Sequence, residues 1–214
     1  MLVNFKNKKV LILAPHTDDG EFGCGGTINQ IIQGGGDVYY AAFSACQQSV
    51  LPQFPSDILI TEVKEATKRL GIPASNLVLH NYDVRTFNYR RQEILDDILK
   101  LKSNVAPDLV FIPSVNDIHQ DHSTIANEAV RAFKFSTILC YELPWNNFNF
   151  NTACFFPLDQ NHIDSKIHAL KAYKSQAHRT YANAEFITGL AKVRGVQCGV
   201  QLAEVFEVVR LIVY

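Results

Sequence analysis

The chain has 214 residues, 20 basic against 21 acidic, for a formal net charge of -1, with 47% hydrophobic and 19% charged positions. That length can bury a substantial core, and the near-neutral balance argues against a global pull toward nucleic acid or an anionic membrane. The five cysteines, Cys24, Cys46, Cys140, Cys154 and Cys198, are odd in number and scattered. That argues against a disulfide framework or a CxxC zinc knuckle and favours a reducing, cytoplasmic setting.

The opening "MLVNFKNKKVLIL" has a short apolar run with no small-residue cleavage site behind it. It reads as the approach to a first strand, Lys9–Ala14, rather than as a signal peptide. Directly behind lies Ala14–Thr27, "APHTDDGEFGCGGT", with one histidine, two adjacent aspartates, a glutamate and four glycines. A helix is expected to begin at the glycines, whose N–H groups could orient an anion. Val38–Phe43 is the next apolar strand. In Asp57–Leu70 the residues Leu59, Val63, Ala66 and Leu70 form a helical stripe.

Leu77–His80 is a third strand, and Tyr89–Lys102, with Ile94, Leu95, Ile98 and Leu99, a helix. Leu109–Pro113 precedes the second dense cluster, Asn116–His122, "NDIHQDH", and a helix over Ser123–Phe133. Ile138–Tyr141 is the fifth strand. An asparagine-rich loop around Trp145, an amphipathic helix over Asn161–Gln176, a further helix and a closing strand around Val205–Val213 complete the pattern. No segment approaches the roughly 20 apolar residues of a membrane-spanning helix. Strands alternating with helices predict an α/β protein, a Rossmann-like doubly wound, mostly parallel sheet of order 3-2-1-4-5 plus the C-terminal strand, with helices on both faces. No linker divides the chain, so one domain over 1–214 is expected.

Both clusters follow directly on strands, the first and the fourth. In a 3-2-1-4-5 sheet these are neighbours at the switch point, where ligands bind. His16, Asp19 and His122 can supply a two-histidine, one-carboxylate set for zinc with one position open. Iron(II) and cobalt suit the same set. Asp18 is placed to take a proton from a water that the metal acidifies. His119, left over from the ligand set, could polarise an oxyanion or protonate a departing amine, with Asp121 fixing its tautomer. This fits metal-assisted hydrolysis of an amide or related acyl bond. A dinucleotide site at the glycines is disfavoured, because Gly23 comes nine residues after Ala14.

Candidate substrate contacts are Asp83 and Arg85 behind the third strand and Trp145 in its loop. Arg194 is a weaker one, since a structural bridge with Glu204 explains it as well. The aromatics Tyr82, Phe87, Tyr89, Phe148 and Phe150 read more simply as packing, and Cys24 as a small buried hydrophobe.

Pro15–Thr27 and His119-Gln120-Asp121-His122 resemble the two motifs of the LmbE-like, or PIG-L, family of zinc-dependent N-deacetylases. "PDLVFIP", "KIHALKAYKSQ" (Lys166–Gln176), Arg194-Gly195 and Ala203–Phe206 extend the likeness over nearly the whole chain. The resemblance implies the roles just given: His16, Asp19 and His122 as metal ligands, Asp18 as base, and His119 as electrophile or acid oriented by Asp121. It also implies an N-acetylated amino sugar as substrate. Two positions depart from the family pattern: Thr17 stands where proline is usual, and Gly20 where glutamate is usual, with Glu21 one place on. The alternatives are a non-catalytic metal-binding protein of the same fold and a zinc amidase acting on a non-sugar N-acyl compound. The sequence leaves a homo-oligomer open.

Overall fold

The structure, a computed structural model, describes residues 4–213; Met1–Val3, at the start of the N-terminal stretch read above, and Tyr214 lie outside it. In chain order the elements are β1 (Lys9–His16), α1 (Asp19–Gln33), β2 (Asp37–Ser44), α2 (Ile58–Leu70), β3 (Leu77–Leu79), α3 (Arg91–Val105), β4 (Leu109–Pro113), α4 (Gln120–Ala132) and β5 (Thr137–Tyr141). Then follow β6 (Cys154–Leu158), α5 (Gln160–Leu170), α6 (Ala184–Cys198) and β7 (Leu202–Arg210).

The strands form one sheet in the order β3-β2-β1-β4-β5-β7-β6. The first five run parallel, in the expected order. Their sequences are apolar at nearly every position because helices cover both faces. Along β1, Val10, Ile12 and Ala14 enter one core with residues of α1, α2, α5 and α6, while Leu11 and Leu13 enter the other with α3 and α4. Fully burying each such leucine or isoleucine stabilises the fold by roughly 1.5–3 kcal/mol.

Three expectations are corrected. The closing strand lies at Leu202–Arg210 rather than Val205–Val213 and is antiparallel to both β5 and β6. Strand β6 had no counterpart in the sequence reading: it is five residues long and contains Pro157, which is tolerated because β6 is the sheet edge. The helix expected over Asn161–Gln176 stops at Leu170 and resumes only as a 3-10 turn at Lys174–Gln176. The break turns Tyr173 inward, where its hydroxyl donates to the Thr17 carbonyl at 2.7 Å. The topology brings the ends of β1 and β4 side by side, where chain connections leave in opposite directions along the sheet.

Candidate metal centre and active-site cleft

Strand β1 continues two residues past its expected end, so His16 is still in register, opposite Ser44 of β2. The His16 N–H donates to Asp19 Oδ2 at 2.8 Å, which bends the chain directly into α1. Three atoms then converge. His16 Nδ1 and Asp19 Oδ2 are 3.2 Å apart, His122 Nε2 and Asp19 Oδ2 3.2 Å, and His122 Nε2 and His16 Nδ1 3.2 Å. An equilateral triangle of that edge is one face of a tetrahedron whose centre lies about 2.0 Å from each vertex, the bond length of zinc to nitrogen or oxygen. The residues present therefore fit a tetrahedral divalent ion with one vertex free.

Each histidine is aimed by a buried carboxylate on its other nitrogen. His16 Nε2 lies 3.1 Å from Asp121 Oδ2, and His122 Nδ1 lies 2.8 Å from Asp117 Oδ2. This carboxylate–histidine pairing fixes the tautomer and leaves the inward nitrogen free to bind a metal. It corrects the role expected of Asp121, whose carboxylate serves His16, not His119. Asp121 also accepts the backbone N–H groups of Arg85 at 2.5 Å and Phe87 at 3.3 Å. Asp117, within "NDIHQDH" and five positions before His122, is the sequence signal for this second carboxylate.

His119 stands at the N-cap of α4, where its Nδ1 accepts the Asp121 N–H at 3.2 Å. The proton of the neutral ring is then on Nε2, making that atom a donor. His16, His119 and His122 do offer nitrogens all within 4.8 Å of one another, a group able to hold a metal. The cap bond nevertheless favours Asp19 over His119 as the third ligand. Asp18 makes no side-chain hydrogen bond to cap α1 and lines the same cleft.

The charges follow from this packing. Burial opposes a charge on His122, but Asp19 and Asp117 outweigh it and raise its pKa to about 10. Burial likewise opposes ionisation of Asp19, yet His122 and His16 hold it well below the usual carboxylate range. Asp18 goes the other way, to about 6, through burial and then the neighbouring Asp19. Burial, followed by His122 and His16, lowers His119, keeping that ring neutral.

Helix α1 is two helical segments joined at a kink at Cys24 (φ -145°, ψ 24°), so a helical segment does begin at the glycines Gly25 and Gly26, although α1 itself starts earlier, at Asp19. The kink exposes the N–H groups of Gly26 and Thr27, which donate to Glu204 at 3.1 and 2.7 Å. Lys166 Nζ binds the same carboxylate at 2.7 Å and the Phe22 carbonyl at 2.6 Å. An anion does sit at the glycines, and it is the chain's own. A Cβ on Gly25 would come within 2.9 Å of Lys166, and one on Gly26 within 2.6 Å of Leu158. Gly20 has a similar cause: its Cβ would meet the Tyr40 ring at 2.5 Å. Tyr40 and Tyr173 both bond the Thr17 carbonyl and the displaced Glu21, whose pKa burial raises to about 8.

The triangle opens into a cleft of about 570 Å³ lined also by Phe22, Arg85, Trp145, Arg179 and Tyr181. Of the four expected substrate contacts, Arg85 and Trp145 line it. Asp83 is turned onto Gln48, and Arg194 is held by Glu142, its Nε 3.0 Å from Oε2; neither lines the cleft. Trp145 stacks on Tyr181 with centroids 3.8 Å apart and planes 8° from parallel, and Phe22 meets both edge-on. Tyr181 and Arg179 were missed, lying in a loop without regular pattern.

An open α/β fold with a histidine–carboxylate centre at its switch point and a cleft above it defines the class. Within that class the chain belongs to the PIG-L (LmbE-like) family: the family model described as GlcNAc-PI de-N-acetylase matches residues 11–133, a span holding every residue of the triangle. A similar protein is YaiS of Escherichia coli (strain K12), described as an uncharacterized deacetylase, 29% identical over 177 residues covering 79% of this chain and 92% of that one. Among solved structures, the N,N'-diacetylchitobiose deacetylase from Pyrococcus horikoshii superposes with a TM-score of 0.79 at 23% identity, over 94% of this chain and 83% of that chain. GalB of Pseudomonas putida KT2440, a 4-carboxy-2-hydroxymuconate hydratase, gives 0.77 at 18% identity over 97% and 98%. The fold alone thus does not fix the reaction. No helix among the described residues is long and apolar enough to cross a membrane.

Proposed function

We propose that this protein is a metal-dependent N-deacetylase that hydrolyses the acetamide of an amino sugar, with His16, Asp19 and His122 holding zinc. The observation that carries the reading is the 3.2 Å triangle of those three donors beside the Asp18 carboxylate that lines the same cleft. A zinc ion bound there would supply Lewis acidity, polarising the amide carbonyl and acidifying water.

The remaining steps belong to the chain's side chains. Asp18, ionised above about pH 6, accepts a proton from the attacking water and returns it to the departing amine nitrogen. The Nε2–H of neutral His119 donates to the acyl oxygen as negative charge develops on it. Asp121 and Asp117 keep His16 and His122 in the tautomers that leave Nδ1 and Nε2 free. The Trp145–Tyr181 stack gives the sugar ring an apolar wall. One domain over 1–214 and a cytoplasmic setting remain part of this reading.

The test compares wild type with Asp18→Asn, measuring metal per chain and amine released from N-acetylglucosamine glycosides. The expected result is equal metal in both and a fall in kcat of about 10²–10⁴ for the variant. Metal in both with amine from neither overturns the catalytic reading.

A further inference from the structure

The cleft wall carries two guanidinium groups that no carboxylate neutralises. Arg69, Arg90, Arg91, Arg131 and Arg194 are each paired with a glutamate. Arg85 and Arg179, both lining the cleft, have no carboxylate oxygen within 4.0 Å among the described residues. They come from different parts of the chain, the β3–α3 connection and the loop before α6. Arg85 spends one N–H on Ser49 Oγ at 2.8 Å, and Arg179 makes only a 3.4 Å contact with Gln176. Most of their donors are therefore free.

Arg85 is also held in place at a cost. Its backbone is left-handed at φ 69°, a conformation that disfavours a side chain, and such residues persist where the surroundings over-determine them. Here the surroundings are the Asp121 carboxylate on its N–H and Ser49 on its guanidinium, so two separate segments fix one exposed arginine. Charge points the same way. Asp19 is already compensated by His16 and His122, which leaves one further carboxylate in the cleft lining, Asp18, against two arginines. A guanidinium fork matches a carboxylate or phosphate with two parallel hydrogen bonds.

We propose that Arg85 and Arg179 select a substrate that carries an anionic group, a carboxylate or a phosphate, beside its acylamino centre. This rests on the deacetylase reading and narrows it: the amino sugar is a charged conjugate, bound across the cleft from the centre to the arginines.

The experiment uses three probes with metal-loaded enzyme: the methyl glycoside of N-acetylglucosamine, its carboxymethyl glycoside, and N-acetylglucosamine 1-phosphate. Wild type should turn over at least one anionic probe with kcat/KM about 10- to 100-fold above the methyl glycoside, mainly through KM, the range expected of charge-assisted hydrogen bonds. Which anionic probe leads tells carboxylate from phosphate. Arg85→Gln and Arg179→Gln should each collapse that ratio toward one, and added salt should shrink it in wild type. Amine released equally from all three probes overturns the proposal, as does a variant that lowers all three alike. Calorimetric binding of the same probes is read in parallel. Tighter anionic binding with no amine from any probe keeps the anion contact and overturns the deacetylase reading. Binding without preference overturns the anion contact itself.

Discussion

The two segments that deliver the donor triangle are built differently. Between β1 and α1 only Thr17 and Asp18 intervene, and almost everything around them is buried. That segment is braced from afar: Tyr40 and Tyr173 clamp the Thr17 carbonyl, and Glu204 with Lys166 splints the kinked helix behind it. The β4–α4 segment is longer, exposes Val115 and Ile118, and combines bonds to Arg85, Phe87 and Asn146 with bonds of its own. Asp117 accepts the His119 N–H at 2.8 Å and aims His122, while His119 caps its own helix. One half of the site leans on Lys166, Tyr173 and Glu204; the other combines its own bonds with those to Arg85, Phe87 and Asn146.

Replacing a donor bridges both halves and has the largest effect. His122→Ala should remove the bound ion, and amine release with it, which metal analysis and a turnover assay would show. If metal and activity persist, the triangle is not the site. Next comes the long-range brace. Glu204→Ala leaves buried Lys166 unpaired and two N–H groups unsatisfied, and should cost about 3–5 kcal/mol in urea unfolding. A loss under about 1 kcal/mol would mean the kinked helix stands without its splint.

The local brace should behave differently. Asp117→Asn is expected to weaken metal binding by about 10- to 100-fold while leaving the unfolding midpoint nearly unmoved. A large stability loss there would erase the contrast between the segments. A last effect is graded with pH rather than set by a substitution. His122 in the metal-free fold keeps its proton up to about pH 10, above the ordinary 6.5, so its contribution to stability is full below 6.5 and is lost as pH rises through 10. A metal must displace that proton, so apparent affinity should climb by up to about tenfold per pH unit over that window. A flat titration would mean that His122 is not charged before the metal arrives.

The same contrast governs what the sequence discloses. Strands β1 to β5 are legible because each is a continuous apolar run between turn residues, and the motif residues are legible because they sit at the ends of two of those runs. His16, Asp19 and His122 converge as their positions imply. The role of Asp121 was not readable: nothing in "HQDH" tells which histidine its carboxylate meets, since that depends on where β1 ends. The helical segment beginning at the glycines is legible, but no local pattern announces the partners that meet it, Lys166 and Glu204, in bonds spanning 144 and 178 positions. Edge strand β6, "CFFPL", is an apolar run as well, but Pro157 within it argues against a strand unless the strand is an edge, which the run alone does not tell.

Gly20 and Tyr40 have a consequence for how this chain can change. The Tyr40 ring fills the volume that any side chain at 20 would need, and Tyr40 is itself tied to Glu21 and Thr17. On a helix, moving a carboxylate one place along turns it by about 100°, so Glu21 points to a different quarter from a side chain at 20. A glutamate at 20 therefore cannot enter while the Tyr40 ring keeps its place: the ring must move aside, which unfastens the Thr17 carbonyl on the way. The two positions form a lock that opens only from the side of residue 40, so what position 20 can hold is decided by what stands at position 40.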